Sequence, residues 1–361
     1  MSTIELKTLT KRFGDFVAVN AVDLFVDAGE VVCLLGPSGC GKTTTLRMIA
    51  GLESVTEGDV IVAGRRVNDV PTRERNIAMT FQFYALYPKI SVRENLAYPL
   101  HANMGASEIA ERIAATARML QLESILNRLP DELSEGEKQR VAVGRSIVRE
   151  PDCFLFDEPL SRLDVHLRET MRAQIKEVLG GLSKATVIVT HDQLEALTMA
   201  DRIAVMRDGA IEQIASPHDI FAHPANLFVA GFIGTPQMNL LPARVAGRDS
   251  DALWVEAGIG AALNLGHVAG MNDIADGTSV TVGLRPRALV STGGPADDAI
   301  SGAVDIIEPM GPEVLLHVKT GEAILRAVIP DDRDWRPGDT VHLRPTADQI
   351  HLFGADERVL T

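Results

Sequence analysis

Cysteine is scarce. The three in 361 residues, Cys33, Cys40 and Cys153, form no paired framework and no metal-ligand spacing, which excludes a disulfide scaffold and a zinc module and fits a reducing compartment. Cys33 and Cys153 fall in apolar, strand-like runs, where a thiol serves as a small buried hydrophobe. Basic residues are also short: 35 Lys and Arg against 49 Asp and Glu leave a net charge of -14. A nucleic-acid surface needs clustered cations to neutralise phosphates, so nucleic acid is not an expected partner, and the acidic balance favours solubility. No apolar run approaches the roughly 18 residues of a membrane span, and the start MSTIELKTLT lacks the charged-then-apolar pattern of a secretory leader. The expectation is a cytosolic chain that can dock on a membrane protein.

What is present is the balance of a globular protein, 46% hydrophobic and 23% charged, in a chain long enough for two units with separate cores. Short β-branched runs at Val31 to Leu35, Cys153 to Phe156 and Thr186 to Val189 are each followed by turn residues and a helical pattern. That rhythm predicts a buried parallel sheet with helices on its faces. Between Ser91 and Glu150 the pattern turns helical, with Ile109, Ile113, Ala117 and Leu120 at three- and four-residue spacing, so a helical insertion at about 88–150 is expected. After about Pro236 short alternating strands take over, such as Val280, Val282 and Leu284 against Thr281 and Gly283, or Val341 and Leu343 against His342 and Arg344. Both tryptophans, Trp254 and Trp335, fall here. These features predict a first domain at 1–235 and a second, all-β and barrel-like, at 236–361.

The first run leads directly into Gly36-Pro37-Ser38-Gly39-Cys40-Gly41-Lys42-Thr43-Thr44 and then a helix. In this strand-loop-helix setting glycines let backbone N–H groups converge on phosphate oxygens. The helix N-terminus adds partial positive charge, Lys42 reaches the terminal phosphates and Thr43 can ligate Mg²⁺. The second run ends in Asp157-Glu158-Pro159. A carboxylate at a strand tip beside such a loop can hold Mg²⁺ through water, and its neighbour Glu158 can polarise an attacking water. The expected ligand is Mg-ATP.

Leu133-Ser134-Glu135-Gly136-Glu137-Lys138-Gln139-Arg140 resembles the signature of the ABC transporter ATPases, usually LSGGQ followed by glutamine and arginine. The likeness implies an α/β P-loop NTPase, with a RecA-like core and helical subdomain. By the same resemblance, Gln82 matches the Q-loop glutamine that senses Mg²⁺ and water, and Asp164 belongs to a D-loop in which Arg162 replaces the common asparagine. His191 matches the switch histidine that bonds the γ-phosphate, and Phe13 the aromatic that stacks on adenine. Asn226 to Gly234, Met238-Asn239, Gly283 to Pro286 and Ile307 to Gly311 resemble importers of the maltose and sn-glycerol-3-phosphate type, whose ATPase subunits end in an OB-like (TOBE) domain. Arg287 stands where that group often has glutamate.

For a member of this group, the resemblance implies hydrolysis of ATP at the cytoplasmic face of a bacterial inner membrane. The implied partners are two integral-membrane permease subunits, a second ATPase chain and an extracytoplasmic substrate-binding protein. Tyr84 to Pro88 is apolar enough to form the permease-docking surface. Polyamine, iron and sulfate importers use similar ATPases, so the transported class rests on the C-terminal motifs. ABC ATPases that act on DNA or ribosomes usually carry long coiled-coil insertions or two ABC units, which are missing here.

The family dimerises head to tail, so that Ser134, Glu135, Gly136 and Glu137 of one chain would face nucleotide on the other. A carboxylate about 4 Å from the γ-phosphate would repel it by roughly 4 kcal/mol at a near-surface dielectric, against at most about 2 kcal/mol of attraction from a helix N-terminus. Three outcomes are open: Glu135 points outward or is neutralised by Lys138 in a homodimer, a different ATPase chain supplies the facing signature, or the chain is a low-turnover regulatory subunit.

Overall fold

The computed structural model describes residues 3–101, 104–161, 163–248, 252–259, 262–266, 274–296, 299–346 and 349–360; Arg162 lies outside them. The chain divides into two compact units after Pro217. Residues 218–235, expected with the first domain, make their contacts in the second.

The first unit holds two sheets. Strands β1 (Ile4–Phe13), β2 (Phe16–Val26), β4 (Glu57–Val62) and β5 (Arg65–Arg66) form an antiparallel sheet in the order β2-β1-β4-β5. The other sheet is built from β3 (Val31–Leu35), β6 (Ile77–Thr80), β7 (Cys153–Asp157), β8 (Ala185–Thr190), β9 (Arg202–Arg207) and β10 (Ala210–Ala215), in the order β10-β9-β3-β8-β7-β6. All of its pairings are parallel except β9 with β10. Every residue of β3, β7 and β8 is buried, which explains their unbroken apolar composition: one face packs on α1 (Lys42–Ala50) and the antiparallel sheet and the other is covered by helices, so no face is left to alternate. Cys33 and Cys153 sit in these strands as free thiols, and burial pushes the Cys153 thiol up to about 12.

Helix α1 (Lys42–Ala50) follows β3, while α5 (Val165–Gly180) and α6 (Gln193–Met199) follow β7 and β8. Between β6 and β7 come α2 (Val92–Ala97), α3 (Ala106–Met119) and α4 (Glu135–Ile147), the expected helical insertion. Ile109, Ile113, Ala117 and Leu120 are all buried, as their spacing requires.

The second unit opens with α7 (Pro217–Ala222) and α8 (Leu227–Phe232). One five-stranded sheet comprises β11 (Asn239–Arg248), β12 (Leu253–Glu256), β13 (Ala262–Asn264), β14 (Ser279–Leu284) and β20 (Ile350–Phe353), in the order β13-β12-β11-β14-β20. The other comprises β15 (Leu289–Ser291), β16 (Ile300–Pro309), β17 (Glu313–Thr320), β18 (Ala323–Pro330) and β19 (Thr340–Pro345), in the order β15-β19-β16-β17-β18. Both sheets contribute to one core, which contains the predicted alternating residues Val280, Val282, Leu284, Val341 and Leu343. Two antiparallel sheets over one core match the barrel-like expectation.

His351 in β20 is half-buried. Desolvation, followed by the charges of Arg285 and His223, holds its imidazole down at about 4. Its folded pKa lies below the unfolded value of about 6.5, so the stability of the neutral form is present above that value and is lost as pH falls towards 4. Between pH 7.5 and 5 the second unit should lose on the order of 2 kcal/mol from this residue alone. Denaturant titrations followed by tryptophan fluorescence report on this unit, because Trp254 and Trp335 both lie in it. The His351→Gln chain should show a correspondingly flatter pH dependence, and identical slopes would remove the assignment.

Candidate active site

The carboxyl ends of β6, β7, β8 and β3 lie side by side, and every candidate catalytic residue of the first unit follows one of them. Loops at this edge of an open parallel sheet are the usual place for a ligand.

At the end of β3, Gly36 packs against β9 so closely that a Cβ would stand 2.3 Å from the Met206 carbonyl oxygen. Gly41 caps α1 at φ 102°, and a Cβ there would meet the Ala18 carbonyl oxygen at 2.5 Å. Gly41→Ala combines a left-handed backbone with that clash, at a cost of roughly 2–4 kcal/mol. Calorimetry should show the first unit melting on the order of 5–10 °C lower.

A glycine cap also leaves α1 with no side-chain cap and no acidic residue in its first turn, so its leading N–H groups remain available to an external acceptor. Pro37, Ser38 and Gly39 form the exposed crest of the loop, Cys40 is buried, and Thr43 and Thr44 are half-buried. Lys42 is buried. Its Nζ donates to the carbonyl oxygens of Gly36 and Pro37, both at 2.8 Å, and lies 3.6 Å from Cys40 Sγ. A buried ammonium held by neutral acceptors, beside uncapped N–H groups, is suited to phosphate oxygens.

The Thr43 hydroxyl donates to Asp157 Oδ1 at 3.2 Å. Asp157 is buried, which pushes its carboxyl above the usual range; the Thr43 hydrogen bond opposes that shift and the neighbouring Glu158 charge adds to it. A hydroxyl and a carboxylate are hard oxygen donors of the kind Mg²⁺ takes. Among the described residues no cluster of three or more His, Cys, Asp or Glu could hold a metal by itself, so a cation here would depend on ligand phosphates and water as well.

Glu158 has φ 49°, a left-handed value rarely adopted by a residue with a side chain. Its backbone N–H bonds the Val189 carbonyl at 2.9 Å, and its own carbonyl accepts from Ser161. This turn sets the carboxylate between two partners: Gln82 Nε2 donates to Oε2 at 3.0 Å, and His191 Nδ1 lies 3.0 Å from Oε1. Three predicted residues from three separate loops therefore meet at one carboxylate.

Phe13 stands at the tip of β1, about half exposed, with Lys11 Nζ 4.8 Å from its ring centroid. Asp164 caps α5 by accepting from the Leu167 N–H at 3.0 Å. Ser134 caps α4 in a reciprocal box with Glu137: Glu137 Oε2 accepts from both the Ser134 N–H and hydroxyl at 2.8 Å. The Ser134 N–H leads the causes that hold the Glu137 carboxyl below its usual range. Gly136 packs against Leu167, where a Cβ would lie 2.8 Å from Cδ2. The Glu135 carboxylate pairs with Lys138 Nζ at 2.8 Å.

Residues 19–161 match the family described as ABC transporter, and residues 282–353 match the TOBE domain. The chain is 44% identical to the sn-glycerol-3-phosphate import ATP-binding protein UgpC of Cereibacter sphaeroides, over 99% of both chains. It is 43% identical to the sulfoquinovosyl glycerol transport ATP-binding protein SmoE of Agrobacterium fabrum, over 98% of both. This chain belongs to the ABC transporter ATP-binding proteins. The lactose transport ATP-binding protein LacK of Rhizobium radiobacter is 42% identical over 99% of each chain. Among solved structures, a dimeric post-hydrolysis state of the ATP-binding cassette MJ0796, bound to ADP and Pi, aligns with TM-score 0.53 and 32% identity. The alignment covers 59% of this chain and 98% of that one.

This ABC ATPase also contains a supporting network that the motifs did not reveal. Thr190 donates to the buried Glu195 at 2.7 Å, and the Asp192 N–H donates to the Thr190 hydroxyl at 3.0 Å. Asp192 caps α6 and pairs with Arg168 at 3.1 Å, which anchors the segment carrying His191 from both sides. Asp192 followed three residues later by Glu195 is a cap-like spacing visible in the sequence, but the partner on α5 is not.

Proposed function

We propose that this ABC ATPase hydrolyses Mg-ATP to drive uptake of a carbohydrate, a polyol or a sugar phosphate. The observation that carries the catalytic part is Glu158 held between Gln82 and His191, next to Asp157 and the buried Lys42. Lys42 and the leading N–H groups of α1 bind the phosphates, and Phe13 offers its exposed face to the adenine. Thr43, Asp157 and Gln82 are the residues that would hold Mg²⁺, which would supply positive charge to offset that of the phosphates. Glu158 orients a water and takes its proton, while His191 holds the Glu158 carboxylate and would bond the terminal phosphate. Ser134 and Gly136, with Asp164 beside them, serve the nucleotide of a second ATPase chain.

Transport assigns the remaining partners: two integral-membrane permeases, reached from the cytoplasmic face of the bacterial inner membrane, and an extracytoplasmic binding protein. Among the described residues no helix is long and apolar enough to cross a membrane. The segment after Gln82 supports docking on the permeases. Phe81, Phe83, Tyr87 and Tyr98 are exposed, and Phe81, Tyr84 and Arg145 help line a cleft of about 140 Å³. Arg145 stacks on Tyr87, 4.9 Å from its centroid. Sulfoquinovosyl glycerol, sn-glycerol-3-phosphate and lactose appear in the names of the three relatives, which favours the carbohydrate and polyol class over polyamine, iron or sulfate.

The test is reconstitution in vesicles with the permeases and binding protein of its own importer. ATP turnover should rise when the binding protein is loaded with a sugar, a polyol or a sugar phosphate. Stimulation by polyamine, iron or sulfate alone would overturn the substrate class but leave the ATPase assignment intact.

A further inference from the structure

We propose that Lys138 is a positioning residue of the composite site: it holds the Glu135 carboxylate in an ion pair, so that the N-terminus of α4 can receive the nucleotide phosphates of a second copy of this chain. The inference rests on the reading above, in which Ser134 and Gly136 serve a partner's nucleotide, and it names that partner.

Both acids at the start of α4 have a committed cation. Glu135 pairs with Lys138 at 2.8 Å, one helical turn along, and the two side chains are about half and a quarter exposed. Glu137 folds back onto Ser134 and has Arg128 at 3.8 Å. The helix end therefore does not carry two uncompensated negative charges, and its N–H groups keep their attraction for an anion. Lys138 is the part of this arrangement with no duty in the cap itself. Glu137 makes the hydrogen bonds to Ser134, whereas Lys138 acts only through Glu135.

An ion pair that only decorated the surface would contribute little, and its loss would be small whatever faced it. A charge that shields a triphosphate behaves differently: its removal leaves like charges opposed across the closing interface, and salt relieves the penalty.

The experiment uses the full-length chain in a Glu158→Gln background, with Mg-ATP, and follows association by sedimentation at about 50 mM and 500 mM salt. Lys138→Gln should weaken ATP-dependent association about tenfold or more at the lower salt, and the defect should shrink at the higher. Lys138→Arg should associate like the parent. Adding Glu135→Gly to Lys138→Gln should restore association to within about twofold, because the charge to be shielded is then gone. ATP binding to the monomer should stay within about twofold in every variant, since the loop at Gly36 to Thr44 lies in the same chain. A Lys138→Gln chain that associates like its parent, or one that Glu135→Gly does not rescue, overturns the role of Lys138 alone. A parent that binds ATP yet stays monomeric overturns the second-copy reading, and this inference with it.

Discussion

Replacing Glu158 with Gln should lower steady-state ATP turnover by about 100- to 1,000-fold while nucleotide affinity stays within a few-fold. The split follows from the geometry. Gln82 and His191 hold the two Glu158 oxygens at 3.0 Å each, and an amide of the same shape keeps one acceptor and gains a donor, so the turn at φ 49° has no reason to collapse. What an amide cannot do is take a proton from water. The Gln chain should therefore bind ATP, fail to consume it and stall uptake in vesicles. A transport rate that survived Glu158→Gln would identify a regulatory subunit instead of a motor, and comparable turnover in the two chains would place the base elsewhere.

Lys42→Ala should act on the preceding step. Its ammonium is buried with two carbonyl oxygens as its nearest acceptors, so a bound triphosphate would be its first anionic partner at hydrogen-bonding range. Charge-assisted hydrogen bonds of this kind contribute roughly 1.5–3 kcal/mol each, which predicts a 10- to 100-fold loss of ATP affinity and turnover near background. Melting without nucleotide should move by less than about 3 °C, because the variant removes a buried charge along with its hydrogen bonds. Equilibrium binding of a fluorescent ATP analogue, with calorimetry on the same samples, separates the two effects. Unchanged affinity would mean that Lys42 stays folded into the loop when nucleotide binds.

Fold and site differ in how much of them the sequence exposes. The runs Val31 to Leu35, Cys153 to Phe156 and Thr186 to Val189 are legible as buried strands because a strand covered on both faces must be apolar throughout. The helical insertion is legible from one apolar stripe, Ile109 to Leu120. Residues 218–235 were less so: expected with the first domain, they pack with the second unit through long-range bonds such as Leu227 N–H to the Glu357 carbonyl at 2.8 Å. Arg285, just past the end of β14, likewise reaches the Ile233 carbonyl at 2.7 Å. Such pairings leave no periodic trace.

The sequence by itself determined the candidate loop Gly36 to Thr44, the acid pair at the end of β7 and the family, because each is written in contiguous residues whose spacing the backbone must honour. The order β3-β8-β7-β6 and the meeting of Gln82 and His191 on the two oxygens of Glu158 were decided only by the tertiary structure. Strand neighbours and rotamers are chosen by contacts between residues distant in sequence. Neither is encoded at any single position.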